Sequence, residues 1–219
     1  MRSLLSLVAA LFVLCAGLVG AARALAPQAP PPGVAALLPD PACEAPCWAG
    51  LHPGTIEPAS LRAWIEAPPA GWSVRPFRPQ GTPVGFDNWE ITLPGGSRFY
   101  LSLVRFESPY VDRLTLFAPT LRLGDVVAAL GVPDFIGARN RPGLRGERQV
   151  ELRLGYVPHA LVAEVVLPLS EALIVDPGLP VEALVYEPPA GGIPAQAWRG
   201  FVPLDQYLPD AAIWWRGGR

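Results

Sequence analysis

The stretch CEAPCWAGLHPGT, Cys43 to Thr55, places two cysteines, a histidine and a Pro-Gly turn within thirteen residues of a 219-residue chain. Those residue types support three chemistries: a dithiol redox pair, a metal site, or a local disulfide. A redox pair calls for C-x-x-C beside a β-α-β pattern, which lowers one thiol pKa. Here the spacing is C-x-x-x-C and no such pattern follows. A metal site calls for three or four ligands. Cys43, Cys47 and His52 supply three, with His159 remote in sequence, and no second ligand pair has zinc-like spacing. Pro46 opposes helix at Ala45, so the two cysteines share a turn in which their sulfurs can meet. The leading expectation is a disulfide, with no metal and no cofactor. So small a ring constrains the unfolded chain by about 2 kcal/mol. His52 is expected as a surface turn residue and His159 as a loop residue.

The disulfide requires an oxidising compartment, and the N-terminus points to one. After Arg2, residues Ser3 to Ala22 form an apolar run without a charge. About 20 such residues span a bilayer, and the same pattern serves as an export signal. Small-x-small sites lie at Ala22–Ala24 and Ala24–Ala26, and Pro27 opposes cleavage after Ala26. Residues 1–26 are therefore read as a signal peptide or transmembrane anchor. Either one places the remainder outside the cytoplasm, membrane-anchored or secreted. Leu14 before Cys15 is not the small residue that acylation needs. Residues 27–42 are Pro-rich and read as a linker, with an arm packed on the domain near Val34–Leu38 as the alternative.

Other chemistry is sparse. The 17 basic residues are all Arg, which excludes Schiff-base and P-loop lysines. They nearly balance 19 acidic residues, so no basic field exists for nucleic acid. No nucleophile-elbow, zinc-protease, Walker or dinucleotide motif occurs. The nearest carboxylate pairs are Asp87 with Glu90 and Asp112 with Glu107, and strand carboxylates ordinarily lie on a solvated face. The Arg-rich stretch Ala138–Arg148 reads as a hairpin loop. Its Arg139, Arg141, Arg145 and Arg148 are candidate binding residues for anionic groups or lipid headgroups. Trp214 and Trp215, near the C-terminus, are candidates for docking a partner or a membrane interface.

The elements that would position these groups follow from periodicity. Leu61, Trp64 and Ile65 recur at helical spacing over Glu57–Glu66, with Thr55 as N-cap and Pro58 in the first turn. Strand patterns follow at Trp72–Phe77, Phe86–Leu93, Arg98–Phe106 and Val111–Phe117, with a turn at Leu93–Arg98. A second helix at Leu121–Pro133 precedes strand patterns at Phe135–Ala138, Glu147–Tyr156, Ala160–Leu167 and Val181–Tyr186. Leu51 and Leu121, Gly54 and Gly124, and VDRL (Val111–Leu114) and VEAL (Val181–Leu184) all stand 70 residues apart. The expected fold class is α+β: two tandem helix-plus-antiparallel-sheet units behind an N-terminal hydrophobic helix. The units cover residues 43–119 and 120–190, and residues 191–219 form a C-terminal extension.

This arrangement, with PGT at residues 53–55 and LRLGDVVAALGVPDF at Leu121–Phe135, resembles the small outer-membrane assembly lipoproteins of the BamE/SmpA type and the tandem-repeat β-lactamase inhibitor protein. Cys43–Thr55 also resembles the opening of a family of bacterial envelope proteins. The resemblance implies a protein that binds other envelope proteins and carries no catalytic residues. The expected function is a non-catalytic extracytoplasmic binding or scaffold protein, tethered to the membrane through its N-terminal helix. The alternative is an envelope hydrolase using Asp/Glu carboxylates.

Overall fold

Alternation of apolar and polar residues puts alternate side chains on opposite faces of a strand. In RFYLSLV this places Phe99, Leu101 and Leu103 on one face, and all three are buried. Eight further strands join it in a single sheet. The computed structural model describes residues 32–39, 43–78, 86–104, 110–143, 147–168, 174–187 and 195–208. After a short helical turn α1 (Pro32–Ala35) comes helix α2 (Pro58–Glu66), followed by β1 (Ser73–Pro76), β2 (Phe86–Thr92), β3 (Arg98–Val104) and β4 (Arg113–Phe117). Helix α3 (Leu123–Leu130) is followed by β5 (Phe135–Pro142), β6 (Arg148–Tyr156), β7 (Leu161–Pro168), β8 (Ala183–Tyr186) and the two-residue β9 (Ala195–Gln196).

All nine strands join in the order β1-β2-β3-β4-β8-β7-β6-β5-β9, and every pairing is antiparallel. This overturns the expectation of two helix-plus-sheet units. The junction is β4 with β8, where Leu114 faces Tyr186 and Leu116 faces Leu184. Every residue of β8 is buried, as are Leu114, Thr115 and Leu116 of β4. As edges of separate sheets these strands would leave backbone N–H and C=O groups unpaired beside apolar side chains. Pairing them removes both edges. The 70-residue offset also fails at a defining contact. Val111 N donates to Ile56 O at 3.2 Å and Val181 N to Leu121 O at 2.9 Å, whereas a uniform offset would carry Ile56 to Val126. The expected hydrophobic N-terminal helix lies outside the described residues. Among those described, no helix is long and apolar enough to cross a membrane.

One face of the sheet carries the core. Leu114 and Leu116 of β4, Val150, Leu152 and Leu154 of β6, and Leu161, Ala163 and Val165 of β7 all point there. Val34, Leu37, Leu38, Leu61, Leu123 and Val126 belong to the same cluster, so the arm around α1 and both longer helices cover that face. Part of the Pro-rich segment is thus a packed arm. Helix α2 starts one residue later than expected. Its N-cap is Glu57, and the Thr55 hydroxyl donates instead to His52 O. In α3 the Asp125 carboxylate accepts from Arg122 N at 3.0 Å, satisfying one backbone donor at the start of the helix.

Candidate functional site

The cysteine-histidine stretch folds as a small hairpin on the core side of the sheet. Trp48 N donates to Leu51 O at 3.0 Å and Leu51 N to Trp48 O at 2.8 Å. The two turn residues, Ala49 (φ 48°) and Gly50 (φ 78°), both lie in the left-handed region that two-residue hairpins require. Trp48 anchors the hairpin. It is fully buried, its ring lies 5.7 Å from those of Trp72 and Phe99, and its indole N–H donates to Ala36 O at 2.9 Å. Cys47 and His52 immediately flank the bridge. Cys43 and Cys47 form a disulfide with Cα atoms 5.9 Å apart. His52, expected as a surface turn residue, is half-buried beside the turn, with Nε2 3.7 Å from Cys43 Sγ. His159 ends a 3₁₀ turn at Val157–His159 and stands apart from this group.

The opposite face of the sheet is charged. Two contiguous hollows of about 650 and 480 Å³ run along it and share Phe117, Arg141, Pro142 and Glu182. Tyr100, Gln149 and Val166 line the first, and Arg113, Thr115, Arg139, Glu151 and Glu164 line the second. Residues Ala138–Arg148 are therefore not one hairpin loop. Arg139 and Arg141 lie within β5, with Glu151 and Gln149 of β6 directly opposite. Arg148 opens β6 and lies opposite Pro142, outside both hollows. Arg145, Trp214 and Trp215 fall outside the described residues.

Ion pairs organise the face. Arg139 Nη2 lies 2.6 Å from Glu151 Oε1 and donates to Oε2 at 2.9 Å. The Oε1 approach is close but poorly aligned, so it counts as an ion pair and not as a hydrogen bond. Arg141 clamps Glu182 with two hydrogen bonds of 2.9 and 3.2 Å. Glu187 joins Arg113 (2.7 Å to Nε) to Arg153 (2.7 Å to Nη2), and Arg153 Nε in turn lies 3.2 Å from Glu164. At the β1 end, Arg75 donates to both oxygens of Glu90 at 2.9 and 2.8 Å. In the Arg75–Glu90 and Arg139–Glu151 pairs the carboxylate lies deep and the guanidinium outside: side-chain exposure is 3% for Glu151 against 54% for Arg139, and 7% for Glu90 against 64% for Arg75.

No protein family, curated protein or solved structure matches the chain. The resemblance to envelope assembly proteins expected from the sequence finds no support there, and the single sheet removes the tandem arrangement on which it partly rested.

Two electrostatic shifts mark the trough. Burial, reinforced by the neighbouring Glu151 charge, pushes the Glu164 carboxyl above the usual range, against the pull of Arg153. The hydrogen bond to Glu151 raises the Arg139 pKa. Of the carboxylate pairs named from the sequence, Asp87 with Glu90 does not assemble. Asp87 and Glu90 are three apart on β2 and so point to opposite faces, and Glu107 lies outside the described residues. Glu151, Glu164 and Glu187 went unnoticed in the sequence. The signal was present in VELRLGY, where charged Glu151 and Arg153 alternate with Val150, Leu152 and Leu154.

Proposed function

We infer that the protein is a non-catalytic binding module of the bacterial cell envelope, whose charged sheet face docks an acidic segment of another protein. The observation that carries this reading is the vertical order of the ion pairs. Where the carboxylate is sunk beneath its partner, as at Glu90 and Glu151, the surface offers guanidinium N–H donors in fixed positions. Such forks match carboxylates, and the hydrogen-bonding partner already holding each Arg reduces the ordering cost of binding. Phe117, 37% exposed, and the Tyr100 ring, 4.6 Å from Phe77, supply apolar contact in the same trough. A protein segment carrying acidic and apolar side chains fits both. The disulfide and the uncharged run Ser3–Ala22 support a location outside the cytoplasm.

The test is site-specific photocrosslinking in native envelopes with a photoreactive residue at position 117. A discrete adduct is expected, together with its loss on Arg139→Glu and Arg141→Glu substitution. No adduct, or one indifferent to both charge reversals, would overturn the reading.

A second reading has one observation behind it. Glu151 and Glu164 share the trough, and the Glu164 carboxyl titrates high as a general acid does. An envelope hydrolase built on them would lose turnover in Glu164→Gln while keeping the crosslink. Engagement of both carboxylates by Arg139 and Arg153 favours binding over catalysis.

A further inference from the structure

The hairpin at Cys43–Thr55 places three soft-metal ligands in one cluster. The Sγ atoms of Cys43 and Cys47 and a ring nitrogen of His52 all lie within 4.8 Å of one another. In tetrahedral zinc coordination, bonds of about 2.3 Å to sulfur and 2.0 Å to nitrogen set ligand atoms roughly 3.5–3.8 Å apart. The Cys43 Sγ to His52 Nε2 distance, 3.7 Å, already has that value. The two bonded sulfurs must separate on reduction, by side-chain rotation at Cys43 and Cys47.

The backbone holds the third ligand in place without help from the disulfide. The paired hydrogen bonds between Trp48 and Leu51 set Cys47 and His52 side by side. The carbonyl of His52 accepts from both Thr55 N and Thr55 Oγ1, each at 3.1 Å, and Pro53 beyond it is buried. Trp48, packed among Trp64, Trp72 and Phe99, fixes the hairpin to the core. His52 is thus positioned before any metal arrives, and the pattern is more than two cysteines closed on each other.

We propose that this cluster is a redox-gated site for a thiophilic d¹⁰ ion, Zn(II) or Cu(I), with Cys43, Cys47 and His52 as ligands and one position open to an external donor. In the oxidised form the sulfurs are bonded to each other and cannot act as thiolates. A dithiol reductant opens the site: the Cys43–Cys47 bond breaks, two protons and two electrons pass to the cysteines, and the reductant leaves as its own disulfide. Metal binding then releases the two thiol protons to solvent while neutral His52 donates a lone pair. Two thiolates and one imidazole favour Zn(II) and Cu(I) over harder ions. Three protein ligands leave room for a fourth, as in sites that exchange their metal or bind a small ligand.

The test uses the full chain with its disulfide intact and after reduction by a phosphine that is then removed. Zn(II) affinity is read by competition with a chromophoric chelator, Cu(I) affinity by a Cu(I)-specific one, and Co(II) substitution reports thiolate ligation through its charge-transfer band. The reduced chain is expected to take up one equivalent of Zn(II) or Cu(I), and the oxidised chain none. His52→Ala, which leaves the disulfide able to form, is expected to weaken binding by about tenfold or more. His159→Ala and Cys15→Ser are expected to change nothing. Equal uptake by oxidised and reduced chains would overturn the proposal. So would absence of uptake after verified reduction, or affinity unchanged in His52→Ala.

Discussion

The hydroxyl of Tyr186 donates a 2.8 Å hydrogen bond to the carbonyl of Leu37, tying the last residue of β8 to a segment 149 residues earlier. Tyr186 sits on the core face at the centre of the sheet, opposite Leu114 and Leu161. The bond therefore fastens the Pro-rich arm over the junction between the two halves of the sheet. Tyr186→Phe leaves the buried Leu37 carbonyl without that donor and is expected to cost about 1–2 kcal/mol in chemical denaturation. Limited proteolysis should show earlier cleavage around residues 32–38. Tyr156→Phe makes a contrast. Its hydroxyl is buried with no hydrogen-bond partner among the described residues, so its removal is expected to be neutral or stabilising.

The same two tyrosines set an alkaline limit. Burial holds both phenols above their ordinary range. In the unfolded chain each loses its proton near pH 10, while the folded chain retains it. Above that pH the unfolded state binds fewer protons than the folded state, so stability falls as pH rises, and it is fully present below. Denaturation midpoints should hold level up to pH ~9.5 and then drop, by about 1.4 kcal/mol per pH unit for each tyrosine. A double Tyr156→Phe, Tyr186→Phe chain should lose most of that drop.

Arg139 and Glu151 should respond unequally to substitution. Arg139→Ala strands a carboxylate that is 3% exposed, with Arg141 as the next cation at 3.9 Å. A cost of about 2 kcal/mol is expected. Glu151→Gln frees a guanidinium already half in water, and its cost should stay below about 1 kcal/mol. Glu151→Gln should also lower the Glu164 pKa, because the Glu151 charge is one of its causes. Urea titrations of both variants and an NMR titration of the Glu164 carboxyl check the two halves.

Gly124 is expected to tolerate no side chain. It lies in the first turn of α3, where an added Cβ would stand 2.9 Å from Pro177 Cβ and 3.0 Å from the Pro177 carbonyl oxygen. Gly124 N donates to that same oxygen at 2.8 Å, so the helix cannot retreat without breaking the bond. Gly124→Ala should lower stability by about 1–3 kcal/mol despite its better helix propensity. Thermal denaturation gives the sign directly.

Reduction of Cys43–Cys47 should cost about 2 kcal/mol, in keeping with a ring of so few residues. Mass spectrometry of protein from native cells under non-reducing conditions should show the peptide two protons lighter than its dithiol form. Two freely alkylated thiols in that material would rule out the disulfide as the resting state.

The sequence by itself determined the local elements. Helical spacing of Leu61, Trp64 and Ile65 marked α2, and alternation in RFYLSLV marked β3, because each reports a face within one element. The Cys43–Cys47 disulfide was legible for the same reason: the partners are four residues apart across a proline turn. What only the tertiary structure decided was which elements meet. Nothing in RLTLF and ALVY states that Leu114 pairs with Tyr186, yet that pairing turns two expected units into one sheet. The charged trough followed from it, since Arg113, Arg153, Glu164 and Glu187 come from separate elements and become partners only once the strands are ordered. The strand character of the Arg residues of β5 is not legible in RNRP, which lacks apolar alternation. The deep carboxylate of Glu151, contributed by the neighbouring strand, compensates the Arg139 charge there and makes a strand possible.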